Sequence, residues 1–95
     1  MASAYLEITL PIDEADRAKA ADIYTQFKGP FLATIPGALS KELLVHTQDV
    51  QVLHGFDSTQ SAQAYLLSDL FTRDVVVGLQ PYLKGTPDIK VYQVA

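Results

Sequence analysis

The sequence predicts an α+β fold of ferredoxin-like type, βαββαβ, with an antiparallel sheet carrying its helices on one face. Three observations carry this. Residues 4–10 alternate apolar and polar with a period of two, and residues 39–56 read as a hairpin whose arms share a hydrophobic phase. Two amphipathic helical stretches follow the first and third strands, and a short alternating segment closes the chain.

In the first strand Ala4, Leu6, Ile8 and Leu10 point one way, and Tyr5, Glu7 and Thr9 the other. Pro11 ends it. Asp13 is the expected N-cap of the first helix, with Asp16 three positions on in an acidic first turn. Ala20, Ile23, Tyr24, Phe27 and Phe31 form the inward stripe. Gly29-Pro30 is expected to interrupt this helix, because proline lacks a backbone donor and crowds the preceding turn. A short second piece then starts at Pro30 and stops at Pro36-Gly37.

The hairpin fixes the register. With an even loop, either Thr47-Gln48 or the four residues His46–Asp49, Leu39 faces Phe56, Lys41 faces His54, Leu43 faces Val52 and Val45 faces Val50. Six of these eight are apolar and all share one face, so Lys41 and His54 lie on the greasy side. Asp57 to Gln60 reads as a capping box opening a helix with Ala62, Tyr65 and Leu66 inward. Ser68-Asp69 reads as a second cap, from which Phe71, Val75, Gly78 and Leu79 extend a helical stripe to Pro81. Residues 85–88 form a turn, and Ile89 to Val94 the last strand.

One sheet face should therefore meet the helices. The other carries Tyr5, Glu7, Thr9, Leu44, Leu53, Tyr92 and Val94, too apolar in sum for a solvated surface. A second copy of the same sheet is the simplest cover, so a homodimer is expected.

Bulk properties set bounds. A chain of 95 residues makes one domain, residues 1–95, and 48% hydrophobic with 19% charged residues is a globular composition. The net charge of −4 and the scatter of the seven Lys and Arg argue against nucleic acid. No apolar run approaches the roughly 20 residues of a membrane span. The absence of cysteine excludes disulfides and thiolate metal sites. With no basic segment leading an apolar run at the N-terminus, a cytoplasmic protein is expected. No His-x-His or His/Glu cluster suggests a metal, and the isolated glycines form no phosphate-cradling loop.

His54 is the sharpest candidate for chemistry. Strand parity puts it beside Val52 and Phe56 on the helix-facing side, where a buried imidazole needs a hydrogen-bond partner or a ligand. It is either a functional base or a core histidine bonded to a tyrosine hydroxyl or a backbone carbonyl. An ammonium at Lys41 would disfavour imidazolium and keep His54 neutral. Taken alone, Lys41 is expected to snorkel to solvent at the sheet edge. Tyr24 and Tyr65 lie on inward helical stripes as packing residues that could line a pocket, and Phe56 and Phe71 belong to the core first. His46, at the hairpin tip, is expected to be exposed.

The hairpin ending His54-Gly55-Phe56-Asp57-Ser58, followed by a helix and the Ser68-Asp69-Leu70-Phe71 turn, resembles antibiotic biosynthesis monooxygenase-like proteins. In these a strand ends in an aromatic, an acid and a serine before a helix, and a segment with the S..F spacing follows. The resemblance implies a dimeric α/β barrel with a cavity between sheet and helices in each subunit. It also implies an oxygenase that needs no metal or flavin and acts on quinols or polyketide-derived anthrones. In that setting His54 is the base, Lys41 stabilises the developing oxyanion, and Phe56, Tyr24 and Tyr65 sandwich an aromatic substrate. The chain departs from the pattern in having Phe56 where tryptophan is common. Val75 stands where the heme-degrading branch has its iron-binding histidine, so heme degradation is not expected. The competing expectation is a non-catalytic dimer of the same fold that binds a small apolar molecule or a partner. An isomerase or lyase would use the same His54 without oxygen.

Overall fold

The computed structural model describes residues 2–95. Its strands are β1 (Ala4–Leu10), β2 (Ala38–Val45), β3 (Val50–Phe56) and β4 (Asp88–Gln93). All pair antiparallel in the order β2-β3-β1-β4. Helix α1 (Arg17–Thr34) joins β1 to β2. Between β3 and β4 lie α2 (Thr59–Leu66), a π-helical stretch Leu70–Val75, α3 (Val76–Leu79) and a 3₁₀ turn Gln80–Tyr82. This is the α+β ferredoxin-like arrangement that the hydrophobic phases predict.

The period-two reading of β1 holds residue by residue: Ala4, Leu6, Ile8 and Leu10 are buried, while the residues between them are half-buried. The hairpin register also holds for Lys41 with His54, Leu43 with Val52 and Val45 with Val50. A 2.9 Å bond from the His46 amide to the Asp49 carbonyl closes the four-residue loop. His46 is exposed.

At the other end the expected pairing fails. Ala38, not Leu39, faces Phe56, and a bulge between Ala38 and Ser40 absorbs the extra residue. Leu39 is turned outward and half exposed. The start of β2 explains this: Gly37 has φ +79°, and its carbonyl accepts a 3.0 Å bond from the Asp57 amide. That bond anchors the strand one residue out of the simple register.

Helix α1 runs unbroken through Gly29-Pro30. Proline costs little here because it sits on the solvent side. The carbonyl it leaves unpaired belongs to Gln26, an exposed residue on the solvent side, while Phe31 next door is fully buried and anchors the turn. Asp13 does not cap; a 3₁₀ turn Glu14–Asp16 precedes α1, and the Asp13 carboxylate pairs with Lys84 at 2.8 Å. The cap of α2 is Ser58 rather than Asp57, its hydroxyl accepting from the Ser61 amide at 3.1 Å. Ser68 caps as expected, accepting from the Phe71 amide at 3.3 Å. From there the wider π turn keeps Phe71, Val75 and Leu79 on one buried stripe.

Candidate functional site

One end of the space between sheet and helices is filled by rings. Phe31 lies at its centre, edge-on to His54 at 5.3 Å, Phe56 at 5.6 Å and Tyr65 at 4.9 Å between ring centroids. Such edge-to-face pairs add to the apolar area they bury. The other end is open. A cavity of about 260 Å³ lies there, floored by Ile8 and Leu10 of β1 and by Val50 and Val52 of β3. Ala20 and Ile23 of α1, with Phe71, Val75 and Leu79, roof it; Leu83, Pro87 and Ile89 stand along its β4 side. Ile89 points inward by parity but is 43% exposed, because β4 is an edge strand.

Three residues on the wall are not apolar: Tyr24, Lys41 and His54. Each is held by the backbone around it. The Tyr24 hydroxyl donates to the Lys41 carbonyl at 2.6 Å, which ties α1 to β2. His54 Nδ1 lies 3.1 Å from the Leu6 carbonyl. A carbonyl can only accept, so Nδ1 carries the proton and Nε2 keeps the lone pair. Burial, then the positive charge of Lys41, push the His54 imidazolium down to about 3, against the opposing pull of the Leu6 and Val52 carbonyls. His54 is neutral at any ordinary pH.

Lys41 is not at the surface. It is 3% exposed, and the expected snorkel to solvent does not occur, because β2 lies under α1 and the aromatic rings close over the side chain. Its Nζ sits 5.2 Å from the centroid of Phe31 and 5.8 Å from that of Tyr24. No carboxylate pairs with it among the described residues. Burial pushes the ammonium down to about 8.

Of the five residues singled out from sequence, the cavity brings Tyr24, Lys41 and His54 together. Phe56 and Tyr65 do not line it; they are packed around Phe31. The Tyr65 hydroxyl is buried with no hydrogen-bond partner among the described residues, and burial raises its pKa. Sequence reasoning missed Phe31, which centres the ring cluster and faces the Lys41 ammonium without lining the cavity. Its place on the α1 stripe was visible; that the helix continues through Pro30 to deliver it was not. Among the described residues no three His, Cys, Asp or Glu side chains converge as a metal site.

This architecture occurs in solved structures. A candidate antibiotic biosynthesis monooxygenase from Caulobacter crescentus CB15 superposes with a TM-score of 0.82 at 19% identity, over 97% of this chain and 89% of that one. A monooxygenase from the gene ActVA-Orf6 of Streptomyces coelicolor, solved with the ligand nanaomycin D, gives 0.82 at 20% identity, over 99% and 88%. The fold is that of the antibiotic biosynthesis monooxygenase-like structures. A conserved protein from Methanosarcina mazei Go1 shares it, with a TM-score of 0.81 at 12% identity over 98% and 93%. No protein-family model and no curated protein matches the chain by sequence. At these identities the likeness is one of fold, and any activity has to be argued from the cavity. No helix among the described residues is long and apolar enough to cross a membrane.

Proposed function

We propose that the chain is a cytoplasmic, cofactor-independent monooxygenase for a small aromatic substrate of quinol or polyketide type, with the cavity as its substrate site. The observation that carries this is the polar pair on an apolar wall: a buried ammonium at Lys41 directly across the strand pair from a neutral His54. An uncompensated positive charge in low dielectric strongly favours an anion beside it. A phenolic hydroxyl or anthrone carbonyl beside Lys41 would ionise or enolise more readily there than in water. His54, its tautomer fixed by Leu6, offers Nε2 to take the proton. The resulting anion is the reductant: it gives electrons to oxygen, one oxygen atom enters the ring as a carbonyl and the other leaves as water. Weak basicity at His54 shifts weight to Lys41, which must hold the anion as it forms. Tyr24 is the aromatic wall for the substrate; Phe56 and Tyr65 pack around Phe31 and lie off the cavity.

The same reading pairs two copies through the open sheet face, where Leu44, Tyr92 and Val94 are 42–47% exposed. Oxygen uptake with a panel of quinols tests the reaction. Wild type should turn over, while His54→Ala and Lys41→Met should each lose at least about 10²-fold, the usual span of a general base or an oxyanion donor. Equal turnover by wild type and His54→Ala would remove His54 as the base.

A second reading has its own support. The His54 ring is bonded to a backbone carbonyl and held far from protonation, as a structural histidine would be. In that reading the protein is a non-catalytic dimer whose cavity binds a small apolar molecule. Tight binding of quinols with no oxygen uptake would select it.

A further inference from the structure

Lysine amines condense with aldehydes anywhere, but four conditions make one lysine a site. The amine needs apolar room beside it for the rest of the aldehyde, and no carboxylate to fix it as ammonium. It also needs shelter from bulk water, which hydrolyses imines, and no second cation that competes for the same space. Lys41 meets all four. It lines a cavity of about 260 Å³ whose only other titratable wall residues, among the described residues, are Tyr24 and the neutral His54. It is 3% exposed, and its Nζ rests against the faces of Phe31 and Tyr24 rather than against an acid. Apolar cavities of roughly 150 Å³ already admit benzene, so this one admits a substituted ring.

We propose that Lys41 captures small aromatic aldehydes as a reversible imine inside this cavity. The ammonium first releases its proton to solvent. The amine nitrogen then attacks the carbonyl carbon; an N–C bond forms and the π pair moves to oxygen. The two protons left on nitrogen leave with that oxygen as water, giving C=N. Amine plus aldehyde equals imine plus water, with no oxidant or reductant required. The lowered basicity of Lys41 supports the first step: about a tenth of the amine is neutral at pH 7, against well under a thousandth for an ordinary lysine. The other lysines lack the setting. Lys84 and Lys90 are paired with Asp13 and Asp88, and Lys19 and Lys28 lie over the rings of Tyr82 and Tyr24 outside the cavity wall.

The reaction needs no oxygen, so it stands or falls separately from the oxygenase reading. The test uses benzaldehyde with the intact protein under anaerobic conditions, reduction with sodium borohydride, then intact mass and peptide mapping. One benzyl group should appear on Lys41, at least about tenfold faster than on any of the four other lysines or the α-amino group. Excess toluene, which fills the cavity but has no carbonyl, should protect Lys41 in the wild-type protein and leave surface labelling unchanged. Ala20→Leu, which narrows the cavity and keeps the lysine, should protect it likewise. Labelling spread evenly over the lysines and the α-amino group, or labelling of Lys41 indifferent to toluene, would overturn the proposal.

Discussion

The two ends of the layer between sheet and helices are built from the same strands and differ in how they are filled. Around Phe31 four rings interlock, and Phe31, Phe56, Tyr65 and His54 are all at most 1% exposed. Toward β4 and α3 most of the side chains are aliphatic, with the ring of Phe71 in the roof, and a cavity remains between them. Lys41 and His54 stand at the boundary. The difference teaches that the aromatic end supplies rigidity, and that this rigidity lets a charge persist, unpaired, next to open room. A loosely packed neighbour would let Lys41 swing out to water.

Mutations that treat the two ends alike should break that contrast in a definite order. Phe31→Ala removes the hub of the ring cluster and should cost about 3–5 kcal/mol, read by urea denaturation. Leu79→Ala, at the open end, enlarges a space that already exists and should fall near the low end of its class, about 2 kcal/mol. Equal costs would mean that the open end is as tightly packed as the ring cluster.

Lys41→Met should stabilise the protein at pH 7 by roughly 1–3 kcal/mol, since an unpaired buried charge is replaced by an apolar chain of similar length. The sign follows from linkage. Burial lowers the Lys41 pKa from 10.5 to about 8, so between these values the unfolded chain binds the extra proton. Wild-type stability therefore rises from pH 8 to 10.5, and the advantage of Lys41→Met should shrink across that window. His54 acts at the acid end. Its pKa falls from 6.5 to about 3, so the unfolded chain again binds more protons between them, and stability is lost as pH drops from 6.5 toward 3. His54→Gln should flatten that slope in a series of melts. Smallest of all, Ala20→Leu should change stability by less than the roughly 1–3 kcal/mol of ordinary overpacking, because the added carbons enter open room.

Much of this was legible in the chain. The alternation of β1 and the matched hairpin arms fixed which face Lys41 and His54 occupy, because a one-residue slip would have turned every apolar side chain outward. What escaped reading depended on neighbours distant in sequence. Pro30 continues the helix because Gln26 happens to face water, and Leu39 bulges out because Gly37 is tied to Asp57. Lys41 is buried because Phe31 and Tyr24 arrive from α1 to cover it. The cavity itself is a volume left over between several elements, and no local pattern encodes it. Tyr24 was placed correctly by its stripe; Tyr65, on an equally inward stripe, went to the packed end because α2 covers that part of the sheet.

The central claim is that Lys41 is a cation held out of water at the edge of an apolar cavity. Titration of the five lysines by NMR on ¹⁵N- and ¹³C-labelled protein tests it most directly. The account predicts one lysine, removed by Lys41→Met, with a midpoint near 8. A Lys41 that titrates together with the surface lysines would place its amine in solvent and contradict the account.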